Sequence, residues 1–323
     1  MKLCAGGLVL AGFASYALPD PAVARDVVSP AAPKAVWTLS FPPKQEIGNL
    51  FGMPTFNCFS YGSMPSRKHL CRAKGTVTIT KKMPLLFVPN DSVSEQPQLF
   101  DPLPDDAFIG LDCERLSLTD SALDNILHLK SLTMINLEGN EISDAGVVKL
   151  KLLPNLVNVN VFGTNIQGRT IKELGRLKNL VRLRMGCNKL DLACLGDIAK
   201  FEKLEFLNLD RVNLCDQDLL KLMPLKKLWA LEIPNNPKIT GRALAYLKKL
   251  PNLRHIDLRC CSLTARDLLG LNASQLRFIL LQPESFTVGD QHLIKDGFKG
   301  SGITLQWKSR EAANSPELYS PLK

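Results

Sequence analysis

From residue 108 onward, apolar and polar positions recur with a fixed rhythm. Leu132, Ile135, Leu137, Asn140 and Ile142 spell L-x-x-I-x-L-x-x-N-x-I. The frame restarts every 24 residues at Leu156, Leu180, Leu204 and Leu228, then one residue late at Leu253. Counting the first leucine as position 1, positions 4 and 6 alternate with polar residues, the period of a half-buried strand. These inward pairs are Ile135 and Leu137, Val159 and Val161, Leu183 and Met185, Leu207 and Leu209, Leu231 and Ile233, Ile256 and Leu258. The second half of each unit carries apolar residues at helical spacing and predicts a short helix or turn. Ser143-Asp144 and Thr119-Asp120 suit N-caps there. Pro154, Pro224 and Pro251 stop the segment ahead of the next strand. A lone strand cannot bury its apolar face, so successive strands must stack in parallel over one shared core.

A period of roughly 20–29 residues with this spacing is the leucine-rich-repeat signature. The chain resembles exported bacterial leucine-rich-repeat proteins whose arch half reads I-[ST]-D-x-x-L-x-x-L-x-x-L-P-N-L. The resemblance implies an α/β leucine-rich-repeat solenoid, with a parallel β-sheet on the concave side, short helices or turns on the convex side, and an N-terminal β-rich cap. Phe108, Leu111, Cys113, Leu116 and Leu118 fit the frame as a first, degenerate coil. Leu276, Ile279 and Leu281 open an eighth that loses the pattern at Pro283, and Ile303–Trp307 reads as a closing strand, so the solenoid is expected over residues 108–307. Position 9 holds Asn140, Asn188 and Asn236, with Thr164 and Cys261 as substitutes. An amide there can satisfy backbone groups of neighbouring coils where the chain leaves the strand. Val212 cannot, so its coil should bend differently.

Ahead of the repeats the pattern changes. Residues 1–24 read as a secretory signal: Lys2, an apolar run from Leu3 to Leu18, and Ala22-Val23-Ala24 as a small-residue cleavage site. The alternative is an uncleaved anchor. No later stretch is long and apolar enough for a membrane span, and the expected location is secreted, periplasmic or cell-envelope. Residues 25–40, rich in Pro, Ala and Val, read as a linker, and 41–107 as the β-rich cap. Within it Gly75–Thr80 and Leu85–Val88 predict a hairpin. Phe41-Pro42, Ile47–Leu50, Ala73–Ile79 and Leu103–Asp106 carry the resemblance to the cap of exported repeat proteins. Residues 308–323 read as a disordered tail.

Candidate chemistry narrows this picture. In an exported chain Cys58 and Cys71 could form a disulfide that staples the cap, or could stay as two thiols. Cys113 falls at an inward strand position. Cys187 and Cys260 lie three coils apart, too far to bridge; Cys194 with Cys215 is geometrically possible. His69 with Cys71 comes nearest to a metal-ligand pair, but no ligand set, P-loop, G-x-S-x-G or H-E-x-x-H occurs. No cofactor, metal or enzymatic activity is expected. The net charge of +9 comes largely from lysines of the convex half, such as Lys149, Lys151, Lys221 and Lys248. Without interleaved aromatics they read as a solvated face rather than a nucleic-acid platform.

The remaining candidate is the outward face of the sheet. Positions 3, 5 and 7 of the middle coils, with the flanking Arg211 and Trp229, converge on Arg182, Arg184, Phe206, Asn208, Asp210, Arg211, Trp229, Glu232, His255, Asp257 and Arg259. Arg and Trp are enriched among binding hot spots. The expected function is non-enzymatic protein binding on this face. Alternatives are a glycan or envelope polymer stacked on Phe162, Phe206 and Trp229, or an adaptor role as a non-catalytic subunit.

Overall fold

A computed structural model of the chain describes residues 37–53, 68–79, 83–271 and 274–309. The signal expected at 1–24 and the partner Cys58 of the expected disulfide lie outside them. In chain order the strands are β1 (Trp37–Ser40), β2 (Gly48–Gly52), β3 (Lys68–Arg72), β4 (Thr76–Ile79) and β5 (Leu85–Pro89). The repeats add β6 (Gly110–Asp112), β7 (Met134–Asn136), β8 (Asn158–Asn160), β9 (Arg182–Arg184) and β10 (Phe206–Asn208). They continue with β11 (Ala230–Glu232), β12 (His255–Asp257), β13 (Phe278–Leu281) and β14 (Thr304–Trp307).

Twelve of these strands form one sheet in the order β14-β13-β12-β11-β10-β9-β8-β7-β6-β5-β2-β3. From β5 to β14 every neighbour is parallel, and equivalent frame positions face one another: Ile135 opposite Val159, Val159 opposite Leu183, Leu183 opposite Leu207. The inward residues of the middle coils are essentially inaccessible and join the cap in a single core. Each contributes about 1.5–3 kcal/mol by leaving water, and it does so only because both neighbouring coils are present. The architecture is an α/β leucine-rich-repeat solenoid.

Between strands the chain makes one or two short helices or 3₁₀ turns per coil, including Asp144–Lys149, Ile171–Arg176, Asp216–Leu222 and Gly241–Leu247. Ser143 caps the first, its hydroxyl accepting the N–H of Ala145. Thr119-Asp120 does not cap its own turn. The Asp120 carboxylate instead reaches the next coil and accepts from the Ser143 N–H at 2.8 Å and its hydroxyl. Asp216 repeats this on the backbone N–H and hydroxyl of Thr240, both at 2.7 Å. An acid expected to cap its own turn instead clamps adjacent coils together.

The position-9 amides behave as expected. Asn236 Nδ2 donates to the carbonyl of Leu209 at 2.9 Å, while its Oδ1 accepts from the N–H groups of Val212 (3.2 Å) and Leu214 (2.9 Å). Asn140 does the same for Cys113, Leu116 and Leu118 of the coil before it. In those two preceding coils position 9 is Leu116 or Val212. Only there, among the described coils, is position 10 also left-handed, at Ser117 (φ 52°) and Asn213 (φ 63°). The extra turn aims two N–H groups at one borrowed oxygen, which is the different bend expected for Val212.

Two expectations for the cap are corrected. The segment read as a linker ends in β1, which pairs antiparallel with β4. The predicted hairpin of β4 with β5 does not form: β5 runs between β2, antiparallel, and β6, parallel. The run Leu85-Leu86-Phe87 is buried on both faces, which suits an interior strand, whereas β4 buries only Ile79 fully and goes to a two-stranded edge. Phe87 anchors this region, with ring centroids 5.4 Å from Phe108, 6.0 Å from Phe41 and 6.3 Å from Phe100. The hydrogen-bonded edge at the far end is β14, and Lys308, placed at the start of the tail, still donates its N–H to Leu281 at 3.0 Å.

Candidate binding surface on the sheet

Alternation along each three-residue strand turns its middle residue into the core and presents the two flanking residues on the opposite face. Register then sets them in rows. One row reads Met134, Asn158, Arg182, Phe206, Ala230, His255 and Phe278; the next reads Asp112, Asn136, Asn160, Arg184, Asn208, Glu232 and Asp257.

Alternation predicted the direction of these side chains but not their exposure. Asn208, Asp210, Glu232, His255 and Asp257 are buried, Arg182, Arg184, Phe206, Trp229 and Arg259 are half-buried, and Arg211 is exposed. Much of the second row is tied along the sheet by side-chain bonds. Asn160 Nδ2 donates to Asn136 Oδ1 at 2.8 Å, and Asn136 Nδ2 to Asp112 Oδ1 at 2.9 Å. On the other side Asn208 Nδ2 donates to Glu232 Oε2 at 2.7 Å. Arg184 stands between these two ladders.

Both arginines of β9 rest on aromatic rings. The guanidinium carbon of Arg182 lies 5.5 Å from the Phe206 ring centroid, and that of Arg184 lies 5.5 Å from Phe162. Each contact holds a cation by the ring quadrupole and restrains a long side chain. Further along, Trp229 stacks on His255 (6.2 Å, 16° between planes), which leans on Phe278 at 6.3 Å.

The carboxylates concentrate toward β11 and β12. Arg259 grips Asp257 through Nε at 2.9 and 3.1 Å and through its terminal nitrogen at 2.7 Å. Burial still pushes the Asp257 carboxyl well above the usual range, reinforced by the charges of Glu232 and Asp210. Glu232 is raised too, by burial first, with Arg184 and Asn208 opposing. Burial depresses His255 to about 4, helped by the charge of Lys308, so it is neutral at pH 7. Lys308 is itself lowered by burial and by Arg259. The read-out is a low-dielectric patch of mixed charge.

The sheet therefore brings together ten of the eleven residues singled out in the sequence. Arg211 is the exposed one, at a left-handed turn (φ 53°). Two contributors were not singled out. Lys308 falls in the expected tail, and Asn158 lies outside the expected cluster. At the cap, His69 bonds to Asn49 Oδ1 at 3.0 Å and packs edge-on against Phe51. Among the described residues no group of three or more His, Cys, Asp or Glu is placed to hold a metal ion, and no helix is long and apolar enough to cross a membrane. Cys113 is buried in the core, and Cys194 and Cys215 are separate thiols.

No protein-family model matches the sequence, and comparison with curated proteins gives no match. Among solved structures, the leucine-rich-repeat ectodomain of the Arabidopsis receptor kinase HAESA, in complex with an N-terminally extended IDA peptide hormone, is similar at 19% identity. That match covers 58% of this chain and 32% of that one, with a TM-score of 0.42. The plant peptide hormone receptor RGFR1, in complex with RGF2, is similar at 17% identity over 66% of this chain and 35% of that one (TM-score 0.37). An internalin, inlF, of Listeria monocytogenes is 16% identical over 61% and 81% of the two chains (TM-score 0.28). The match spans about a third of the length of each plant protein. By its repeat, strand order and register, the fold of this chain is a leucine-rich-repeat solenoid.

Proposed function

We propose that this chain is a non-enzymatic, exported scaffold that binds another protein on the sheet face between β8 and β12. The observation that supports it most is the pair of guanidiniums on adjacent rows, each restrained on a ring and flanked by buried polar groups. Restrained side chains lose less entropy when a partner docks. Stacked Arg–aromatic groups at the centre of a polar surface also have the character of hot spots. Glycan binding would need open ring faces. Here Arg182 lies over Phe206, Phe162 is buried beneath Arg184, and Trp229 is stacked on His255, which favours a protein ligand.

The test is affinity capture from envelope extract with the mature chain and with the double variant Arg184→Ala, Phe206→Ala. The variant should keep its far-ultraviolet circular dichroism and lose the captured protein by about tenfold or more. An unchanged captured protein, or recovery of polysaccharide alone, would overturn the proposal. Export is checked separately, by N-terminal sequencing of the chain after passage through a secreting cell.

A further inference from the structure

Asn158 occupies the first row of the sheet face on β8, between Met134 and Arg182 in register. It is 1% exposed, and neither its Nδ2 nor its Oδ1 has a hydrogen-bond partner. The neighbouring asparagines of the second row, Asn136 and Asn160, are bonded on both sides. An unsatisfied buried carboxamide costs the fold free energy that an apolar residue of the same size would not. On the neighbouring strand and in the adjacent row, the Nε of Arg184 is likewise buried without a partner. Unmet donors and an unmet acceptor thus sit together on the face already assigned to a ligand.

We propose that Asn158 is a specificity-determining residue that pairs, through both amide atoms, with the backbone of an extended peptide segment laid across β8 and β9. The inference rests on the binding role assigned above to the same face. A carboxamide presents one N–H and one C=O side by side. A residue of an extended strand presents its own N–H and C=O along one edge in the complementary sense, as paired antiparallel residues do. The Arg182 side chain, half-buried and next in register on β9, rests on Phe206 of β10, on the side away from β8. A secondary amide could also come from an acetamido sugar, but the rings of this face, Phe162, Phe206 and Trp229, are already covered by Arg184, Arg182 and His255, which disfavours stacking by a pyranose.

The experiment uses the full chain and two probes: linear twelve-residue peptides selected from a displayed library on the immobilised protein, and the tetramer of N-acetylglucosamine. Asn158→Leu should raise the thermal midpoint of the free protein and weaken the selected peptide by about tenfold or more. Asn158→Ala provides the same binding readout should the leucine variant fold poorly. Methylating the peptide nitrogens one at a time should identify a single bond whose loss weakens wild type but leaves Asn158→Leu unaffected. Equal peptide affinity in wild type and both variants overturns the proposal. If Arg184→Ala loses the peptide while the Asn158 variants keep it, the face stands and the role of Asn158 falls; if all keep it, both fall. Binding of the sugar tetramer with no peptide selected, or of neither probe, overturns the peptide assignment.

Discussion

The backbone N–H of Val212 is satisfied not within its own coil but by Asn236 Oδ1, 24 residues later and 3.2 Å away. Leu214 N–H shares the same oxygen at 2.9 Å. One amide therefore serves two coils, and the donor coil adopts an additional left-handed residue, Asn213, to reach it.

Asn236→Ala should accordingly be among the costliest single changes in the solenoid. It strands two buried N–H groups and frees the Leu209 carbonyl, at about 1–3 kcal/mol per unsatisfied group. A loss of roughly 3 kcal/mol is expected from urea unfolding followed by circular dichroism. Asn252→Ala, whose exposed amide reaches only the Lys226 carbonyl, should stay within about 0.5 kcal/mol. Equal effects would refute the shared-amide account.

Position 8 of the frame is left-handed in coil after coil, including Gly139 (φ 69°) and Gly163 (φ 60°). A Cβ on Gly163 would meet nothing within 4 Å, whereas one on Gly139 would lie 2.8 Å from Arg115 Cγ. Gly163→Ala should therefore cost the conformational penalty alone, about 1–2 kcal/mol. Gly139→Ala should cost more by whatever the Arg115 side chain loses in moving. The thermal midpoints should rank in that order.

Glu232→Gln isolates the buried charge, because the amide oxygen can keep the bond from Asn208. Burial holds the Glu232 carboxyl above its ordinary value, so the folded state binds this proton more tightly than the unfolded chain does. Its ionisation penalty appears as pH rises from the unfolded range, about 4.3, through the raised folded value. The variant should melt higher than wild type at pH 7, by roughly 2–4 °C per kcal/mol recovered, with the gap closing near pH 4. His255 acts in the opposite direction: with a folded value of about 4 against 6.5, its contribution is lost as pH falls through that interval. A gap that stays constant with pH would contradict the assignment.

Phe87→Ala removes a fully buried ring that touches three others across the start of the sheet. A loss of about 3–5 kcal/mol is expected. Hydrogen exchange should show the protection of β6 and β7 falling before that of β11 and β12, since each coil leans chiefly on its neighbours. Uniform loss of protection would mean that the array unfolds as one unit.

How far the residue pattern foretold all this differs by level. The coil boundaries and inward pairs were legible because a leucine at a fixed interval has one physical use. The bend at Val212 followed from a missing amide. Exposure on the sheet face did not follow, since period-two alternation assigns a direction to Glu232 or Asp257 but says nothing about accessibility. The partner of β5 is not legible, because a short apolar run beside a turn resembles a hairpin arm, while burial on both faces of Leu85-Leu86-Phe87 needs an interior strand. Asn158 carries no signal in the sequence: in a row of polar residues, the pattern does not distinguish the amide that packing leaves without a partner.

β5 pairs with its cap neighbour in one sense and with the first coil in the other, so the sheet reverses direction without a break in its hydrogen bonding. The solenoid has no seam at residue 107 along which it could be cut. A fragment beginning at Phe108 would present β6 with a raw, sticky border and the Phe108 ring to water, and it should be recovered as aggregate rather than as a smaller folded solenoid.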